Sequence, residues 1–400
     1  MKCPMCFKNS QFQPIFSHHN TFVSCGRLDS VATDCTNDDY ACGKAKMDLV
    51  QCFECGFVFN ASFDRESMWK EYQKSGYMSR KIVSTSMNTS IQNIKNAIIS
   101  HCAAINGATT MGGGGVNLIE IAPGSGDLAM ELAKYCEFLY TIDPSLVSLE
   151  FAKTTNHLHI QDFFNLASMQ KHIKHEIHCI VFRHLLEHID TPREFLEDVV
   201  KLIAQDGIIY VEVPNIREFF ENARFYEIFH DHCGYYQQST LINIFNAMGC
   251  EHIDTLMLYR NQHLGLFFKK KAPQNVKDYT PAMLPKNTYT IMQNAIQKLN
   301  IAISKYKRIA LYGAGAHGNS LLSFLTLENR VKIVCCYDLD TRKHGKYLQN
   351  SKIVVAKPCK ETYEDIECII LAAPLYEEEI VQYLQKDGFS GEILKSLNCR

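Results

Sequence analysis

The densest polar and aromatic run of the chain is Phe225-Tyr-Glu-Ile-Phe-His230-Asp231-His232-Cys-Gly-Tyr235-Tyr236. Two imidazoles flanking a carboxylate can be a general base with its orienting partner, a pair of metal ligands, or solvated surface residues. Catalysis ranks first. The run follows the strand-like segment Gly207-Ile-Ile-Tyr-Val-Glu-Val213, which places it on the sheet edge where ligands bind. Metal ranks second, because His-x-His can hold zinc but no clear third ligand stands nearby. A second polar run, Arg183-His-Leu-Leu-Glu-His188, ends another strand-like segment and brings His188 to the same edge.

A different chemistry sits at the start of the chain. Cys3-Pro-Met-Cys6 and Cys52-Phe-Glu-Cys55-Gly56 are two Cys-x-x-Cys pairs, enough thiolates to close a tetrahedral structural zinc site. The long loop between them carries Cys25, Cys35 and Cys42, so buried thiols in a small β domain are the plainer alternative. A redox dithiol fits less well, since no βαβ pattern surrounds either pair.

The elements that must position these groups are legible as βα units. Val116 to Ile121 is a short apolar run of the kind that forms a buried parallel strand. Pro123, Gly124 and Gly126 break it, and Asp127 is placed to cap the helix beginning Leu128-Ala-Met-Glu-Leu-Ala133. Glycines there allow close approach of a ligand to the backbone. Phe138-Leu-Tyr-Thr-Ile142 reads as the next strand and ends in Asp143, where a carboxylate can accept both hydroxyls of a ribose. His159-Ile-Gln-Asp162-Phe163-Phe164 and Cys179-Ile-Val-Phe182 continue a doubly wound α/β sheet. A second unit follows near the C-terminus: Arg308-Ile-Ala-Leu-Tyr-Gly313-Ala-Gly315-Ala-His-Gly318, then Val334-Cys-Cys-Tyr-Asp338. On its own it reads as a dinucleotide site, or as a Rossmann-like unit without cofactor. Residues 62–110 read as mainly helical, with Trp69, Tyr72 and Tyr77 as packing aromatics, and 284–306 as a helix.

Four hundred residues accommodate two or three domains. A net charge of −2 gives no global pull toward nucleic acid or membrane, and no apolar run reaches about eighteen residues. Lys269-Lys-Lys271 reads as a solvated strand end. The start does not read as a signal peptide, so the seventeen cysteines are expected as cytoplasmic thiols, some on metal.

In order and spacing, Glu120…Gly124-x-Gly126, Asp143, Asp162-Phe163 and Phe182-Arg183-His184 resemble the successive motifs of class I S-adenosylmethionine-dependent methyltransferases. The resemblance implies that Gly124 and Gly126 face the methionine part, Asp143 the ribose, and Asp162 with Phe163 the adenine. Glu120 and Arg183 complete the cofactor side. With a four-cysteine region before and a Rossmann-like unit after, nearly the whole chain is similar to the zinc-binding sugar C-methyltransferase family, which acts on nucleotide-linked 4-keto-deoxysugars. The implied domains are 1–65 zinc-binding, 66–283 methyltransferase, and 284–400 Rossmann-like and substrate-holding.

The same resemblance implies His232 as general base, Asp231 as its orienter or a support for the enolate, and His188 as a further active-site histidine. His230 is the rival base. Tyr77 would reach the sugar, with Tyr72 as its rival. Gly313, Gly315, Gly318, Asp338, Lys343 and Tyr236 would lie near the sugar nucleotide. S-adenosylmethionine and structural zinc are the expected cofactors, and a monomer or homodimer the expected assembly. The chain departs from the family at Phe229 (tyrosine there), at Asp231 (glutamate there) and at Arg260-Asn-Gln-His-Leu264 (His-Gly-Gly-Ser-Leu-Arg there). These changes bear on the substrate rather than the fold. O-methylation of a glycan or small molecule, or a non-catalytic dinucleotide-binding module, are the other readings.

Overall fold

The apolar run Asn117–Ile121 is an interior strand of a seven-stranded sheet, and all five of its residues are buried. The computed structural model describes residues 1–33, 45–72, 85–103, 115–145, 156–271 and 280–395. Across that sheet the strands run Cys250–Leu258, His263–Lys270, Ile203–Pro214, Ile177–Arg183, Asn117–Ile121, Phe138–Ile142 and His157–Ile160. The five from Ile203–Pro214 to His157–Ile160 are parallel, and the first two form an antiparallel hairpin on the edge. Alternation along a strand sends Leu118 to one face and Ile119 with Ile121 to the other, so both faces are covered, as a parallel sheet requires. The helix Thr85–Ala103 covers the first face with Ile91, Ile94, Ile98 and Cys102.

A second seven-stranded sheet is built from the C-terminal residues. Its order is Glu392–Leu394, Cys368–Leu371, Ile309–Tyr312, Ile333–Tyr337, Val354–Ala356, Tyr347–Leu348 and Leu28–Asp29. The last of these comes from the N-terminal region and pairs antiparallel with Tyr347–Leu348. Buried Asn319 holds that segment, donating to the carbonyls of Cys25 (2.8 Å) and Arg27 (2.9 Å). The third sheet is antiparallel: Phe12–Thr21, Ala45–Cys52, Val58–Asn60 and Gly234–Tyr235. Here Gly234–Tyr235, from the histidine-rich run, is the borrowed strand. The N-terminal region is thus stitched into both larger units. Short strands with an open edge gain ladder hydrogen bonds by such pairing.

Local details differ from expectation at the helix ends. Gly126, with φ +78°, is the N-cap of the helix Asp127–Leu132, and Asp127 is its first residue rather than its cap. The helical connector comprises Arg65–Tyr72 and Thr85–Ala103, and Tyr77 lies outside the described residues, as do Cys35 and Cys42. Lys269 and Lys271 both pair with Asp206, at 3.3 and 3.4 Å. Among the described residues no helix is long and apolar enough to cross a membrane.

Candidate active site

The first glycine turn is open on its outer side. Ala122, Gly124 and Gly126 all have positive φ, and a Cβ on Gly124 would meet nothing within 4 Å. Beneath the turn, Glu120 is buried and burial pushes its carboxyl up to about 8. Its Oε2 has no hydrogen-bond partner among the described residues, so it is an orphaned polar atom of the kind a polar ligand can satisfy. Asp143 is half-buried and its carboxylate accepts one backbone N–H, that of Ser145 at 2.8 Å. Asp162 accepts its neighbour's N–H, Phe163 N, at 2.8 Å. Phe163 is exposed, and its ring lies 6.0 Å from the exposed ring of Trp69. The sequence marked Trp69 as packing; it is instead an exposed partner of Phe163.

Arg183 does not stand free beside this turn. Its Nε donates to Glu212 Oε2 at 2.6 Å. Glu212 is fully buried and also meets His184 Nε2 at 3.1 Å and His263 Nδ1 at 3.2 Å. Burial opposes its charge, but Arg183 and the two histidines hold its carboxyl well below the usual range. This hub was not legible in the sequence, because its members come from three separate strands.

The histidine run divides between two faces. His232 is buried, and its ring lies edge-on to His188 at 4.7 Å and to Phe229 at 4.9 Å. Burial and then the His188 charge push its imidazole down to about 4, so it is neutral at neutral pH. Its Nδ1 has no hydrogen-bond partner among the described residues. His188 donates from Nδ1 to the Asp231 carbonyl at 3.1 Å. Buried Glu187 beside them would be raised by burial, but His184, His188 and His232 hold it down to about 2. The Asp231 carboxylate accepts from Ser24 Oγ at 3.2 Å, so the N-terminal region braces it.

His230 faces elsewhere. Its Nδ1 lies 3.0 Å from the Lys46 carbonyl and 3.3 Å from Asn60 Nδ2, on the N-terminal hairpin. Tyr236 is fully buried against Phe57, with its hydroxyl donating to the Leu186 carbonyl at 3.2 Å. It is part of the core that covers one face of the first seven-stranded sheet.

The four cysteines converge. Cys3 and Cys55 sulfurs are 3.7 Å apart and Cys6 and Cys52 sulfurs 3.8 Å, with all four sulfurs within 4.8 Å of one another. A zinc–thiolate bond of about 2.3 Å sets tetrahedral sulfur–sulfur edges of roughly 3.8 Å, so the donor set fits zinc. Gly56 takes φ +74° to close its turn. Cys25 is buried outside this cluster.

The second glycine turn is tight. A Cβ on Gly318 would lie 2.3 Å from the Gly313 carbonyl oxygen, and one on Gly313 2.9 Å from that of Ala372. Asp338 is buried, and its carboxylate accepts from Ala314 N (2.9 Å), Asp340 N (2.9 Å) and Lys343 Nζ (2.7 Å). Of the three glycines in this turn Gly315 alone is open, since a Cβ there would meet nothing within 4 Å. The helix that follows, Ala316–Ser323, places His317 Nε2 at 2.6 Å from Glu227 Oε2 of the histidine run.

Two family descriptions match this chain: "Methyltransferase domain" over residues 88–255, and "C-methyltransferase C-terminal domain" over 273–391. A curated relative, the C-methyltransferase NovU of Streptomyces niveus, is 26% identical over 239 residues, 54% of this chain. The match spans 57% of that relative's length. Among solved structures, the N-methyltransferase NodS of Bradyrhizobium japonicum with S-adenosylhomocysteine is 14% identical, covering 45% of this chain and 86% of its own, at a TM-score of 0.34. The magnesium protoporphyrin IX methyltransferase of Synechocystis with bound S-adenosylmethionine is 14% identical, covering 53% and 100%, at 0.37. With a match to a methyltransferase domain followed by a match to a C-methyltransferase C-terminal domain, the chain is similar to S-adenosylmethionine-dependent C-methyltransferases.

Proposed function

We propose that this protein moves a methyl group from S-adenosylmethionine to a carbon beside a ketone in a nucleotide-linked deoxysugar, with His232 as the general base. The observation that carries the reading is the state of His232: buried, neutral, with Nδ1 unpartnered, beside His188. A neutral imidazole can take the proton of an acidified C–H bond. The C–H electron pair then becomes the enolate and forms the new C–C bond as the S–CH3 bond breaks. S-adenosylhomocysteine leaves, the ketone re-forms, and the proton passes from His232 to solvent. Glu120, Gly124, Gly126 and Asp143 would hold the cofactor, with Phe163 and Trp69 offering flat faces for its adenine. Alignment of two substrates supplies much of the rate.

The four-cysteine cluster would hold one structural zinc, which closes the N-terminal fold and takes no part in methyl transfer. A cytoplasmic, thiol-reducing setting suits such a chain. The dinucleotide reading loses support because the Asp338 carboxylate is already filled by Lys343 and two backbone N–H groups.

The test is incubation with labelled S-adenosylmethionine and a panel of nucleoside-diphosphate 4-keto-deoxysugars, alongside exchange of the substrate α-proton in deuterated water without cofactor. The reading expects transfer to at least one keto-sugar and cofactor-independent exchange with it. Methylation without any exchange would replace carbon by oxygen as the acceptor.

A further inference from the structure

A histidine base takes a proton on one ring nitrogen, and in the neutral ring the other nitrogen carries the hydrogen. In His232 the Nδ1 atom is buried, so a substrate meets the ring at Nε2. Nδ1 is then the N–H, yet among the described residues it has no hydrogen-bond partner. A buried N–H needs an acceptor.

Glu187 supplies one. It sits in the turn Leu186–His188, just past the strand Ile177–Arg183, and is 2% exposed. Its Oε1 lies 3.7 Å from His184 Nδ1, an ion-pair distance rather than a hydrogen bond. Its Oε2 is buried and has no hydrogen-bond partner among the described residues. Glu187, His188 and His232 bring an oxygen and two ring nitrogens within 4.8 Å of one another. One bridging water or a small rotation of the carboxylate closes such a span, and hydrogen bonds at reacting centres tighten when ligands bind.

Three hydrogen bonds lock this turn to the histidine run. His188 Nδ1 donates to the Asp231 carbonyl at 3.1 Å, Cys233 Sγ to the His188 carbonyl at 3.4 Å, and the Tyr236 hydroxyl to the Leu186 carbonyl at 3.2 Å. They engage the residues on either side of Glu187 and on either side of His232, so the two side chains are held in register. Asp231 is the rival orienter. Its carboxylate accepts from Ser24 Oγ at 3.2 Å, and neither of its oxygens is a buried orphan. Asp231 and Glu187 both oppose the fall in the His232 pKa, so charge does not choose between them. The unfilled hydrogen-bond positions do.

We propose that Glu187 is the residue that orients His232: its Oε2 accepts the Nδ1 hydrogen and leaves Nε2 bare to take the substrate proton. The inference deepens the general-base reading above and rests on it. The C–H proton goes to Nε2 and its electron pair to the enolate. Nδ1 keeps its hydrogen, and the Glu187 carboxylate stays ionised and meets the positive ring. Glu187 acts through His232, so it is a positioning residue.

The experiment reads the tautomer. Nitrogen-15 NMR of histidine-labelled protein, with and without S-adenosylhomocysteine, separates protonated from bare ring nitrogens, and His232→Asn identifies the His232 signals. Wild type should show Nδ1 protonated and Nε2 bare. Glu187→Leu should move the ring toward the opposite tautomer, while Asp231→Asn should keep the wild-type one. Glu187→Gln keeps the shape and loses the charge. On the panel of nucleoside-diphosphate 4-keto-deoxysugars it should exchange the α-proton about a hundredfold to ten-thousandfold more slowly, with S-adenosylhomocysteine affinity unchanged. Nε2 protonated in wild type overturns the inference, whether or not any Glu187 variant folds. So does a tautomer that changes in Asp231→Asn or His188→Leu but not in Glu187→Leu, or exchange by Glu187→Gln at the wild-type rate. A second metal ion per chain that Glu187→Gln loses would also overturn it, because a metal would then occupy the place of the Nδ1 hydrogen. A wild type that exchanges no keto-sugar of the panel overturns the functional reading instead, and the tautomer still decides the role of Glu187.

Discussion

Two strand–glycine-turn–helix units occur in this chain, and they use their acidic residues in opposite ways. In the first, a Cβ on Gly124 would meet nothing within 4 Å, and among the described residues Asp143 accepts the Ser145 N–H. In the second, Gly318 is pressed against the Gly313 carbonyl and Asp338 is filled from three sides. Glycine spacing and a following acid are alike in both, so the fingerprint alone does not distinguish a ligand site from a self-contained turn. The difference is Lys343, five residues beyond Asp338, which neutralises the carboxylate a dinucleotide ribose would need. The lesson is that a nucleotide fingerprint should be read together with any cation able to reach its acid.

The largest effect should come from the region that ties the two units together. The purified protein should contain one zinc per chain, and Cys52→Ser should lose it, since structural zinc in small domains supplies on the order of 10 kcal/mol or more of folding free energy. Residues 1–65 should unfold first. Because Gly234–Tyr235 pairs with Val58–Phe59, protection of the histidine run against hydrogen exchange should fall as well. Metal analysis finding no zinc would remove the site. Added metal should not alter turnover in the intact protein.

Within the first unit's catalytic edge, His232→Asn should lower turnover about a hundredfold to ten-thousandfold while both ligands still bind. Full α-proton exchange by this variant would shift the base to His188, since His230 is turned to the N-terminal hairpin.

The comparison itself is tested by matched substitutions. Asp143→Ala should weaken S-adenosylhomocysteine about tenfold to a hundredfold, the worth of charged hydrogen bonds at roughly 1.5–3 kcal/mol. Asp338→Ala should leave that affinity unchanged and instead destabilise the C-terminal unit by about 2 kcal/mol, because Lys343 and two N–H groups lose their acceptor. Calorimetric titration with S-adenosylhomocysteine and with NAD measures both, and wild-type binding of NAD would erase the distinction.

The smallest effect is in pH dependence. Glu120 keeps its proton in the fold up to about 8, against an ordinary value of 4.5. The folded state thus holds a proton the unfolded chain has released. Stability from this group is full below about pH 4.5 and is lost as pH rises toward 8, at about 1.4 kcal/mol per unit. Glu120→Gln should flatten that decline in urea unfolding at pH 5 and pH 8; an unchanged slope would mean that Glu120 is ionised throughout.

What the sequence made legible was local. Asn117–Ile121, its glycine turn, Phe138–Ile142 and Ile309–Tyr312 announced themselves by short apolar runs broken by glycine, and the structure has strands there. The cysteine pairs announced a metal-sized cluster by spacing alone. Contacts made across long separations were not legible. Leu28–Asp29 has too few residues to signal a strand and is one only because Tyr347–Leu348 offers it an edge. Glu227 and His317 are ninety residues apart, and nothing in either motif points to the other. The resemblance implied that Tyr236 lies near the sugar nucleotide; in the structure it follows the paired strand Gly234–Tyr235 and is buried in the core, an environment no local motif announces.

The central claim is methyl transfer to carbon at the first unit's edge. The most direct measurement is carbon-13 NMR of the product formed from methyl-labelled S-adenosylmethionine and a nucleotide-linked 4-keto-deoxysugar. The account predicts one labelled methyl in the high-field region of carbon-bound methyls, with one-bond coupling to a ring carbon when the sugar is also labelled. A labelled methyl in the low-field region of methoxy groups, without that coupling, would contradict it.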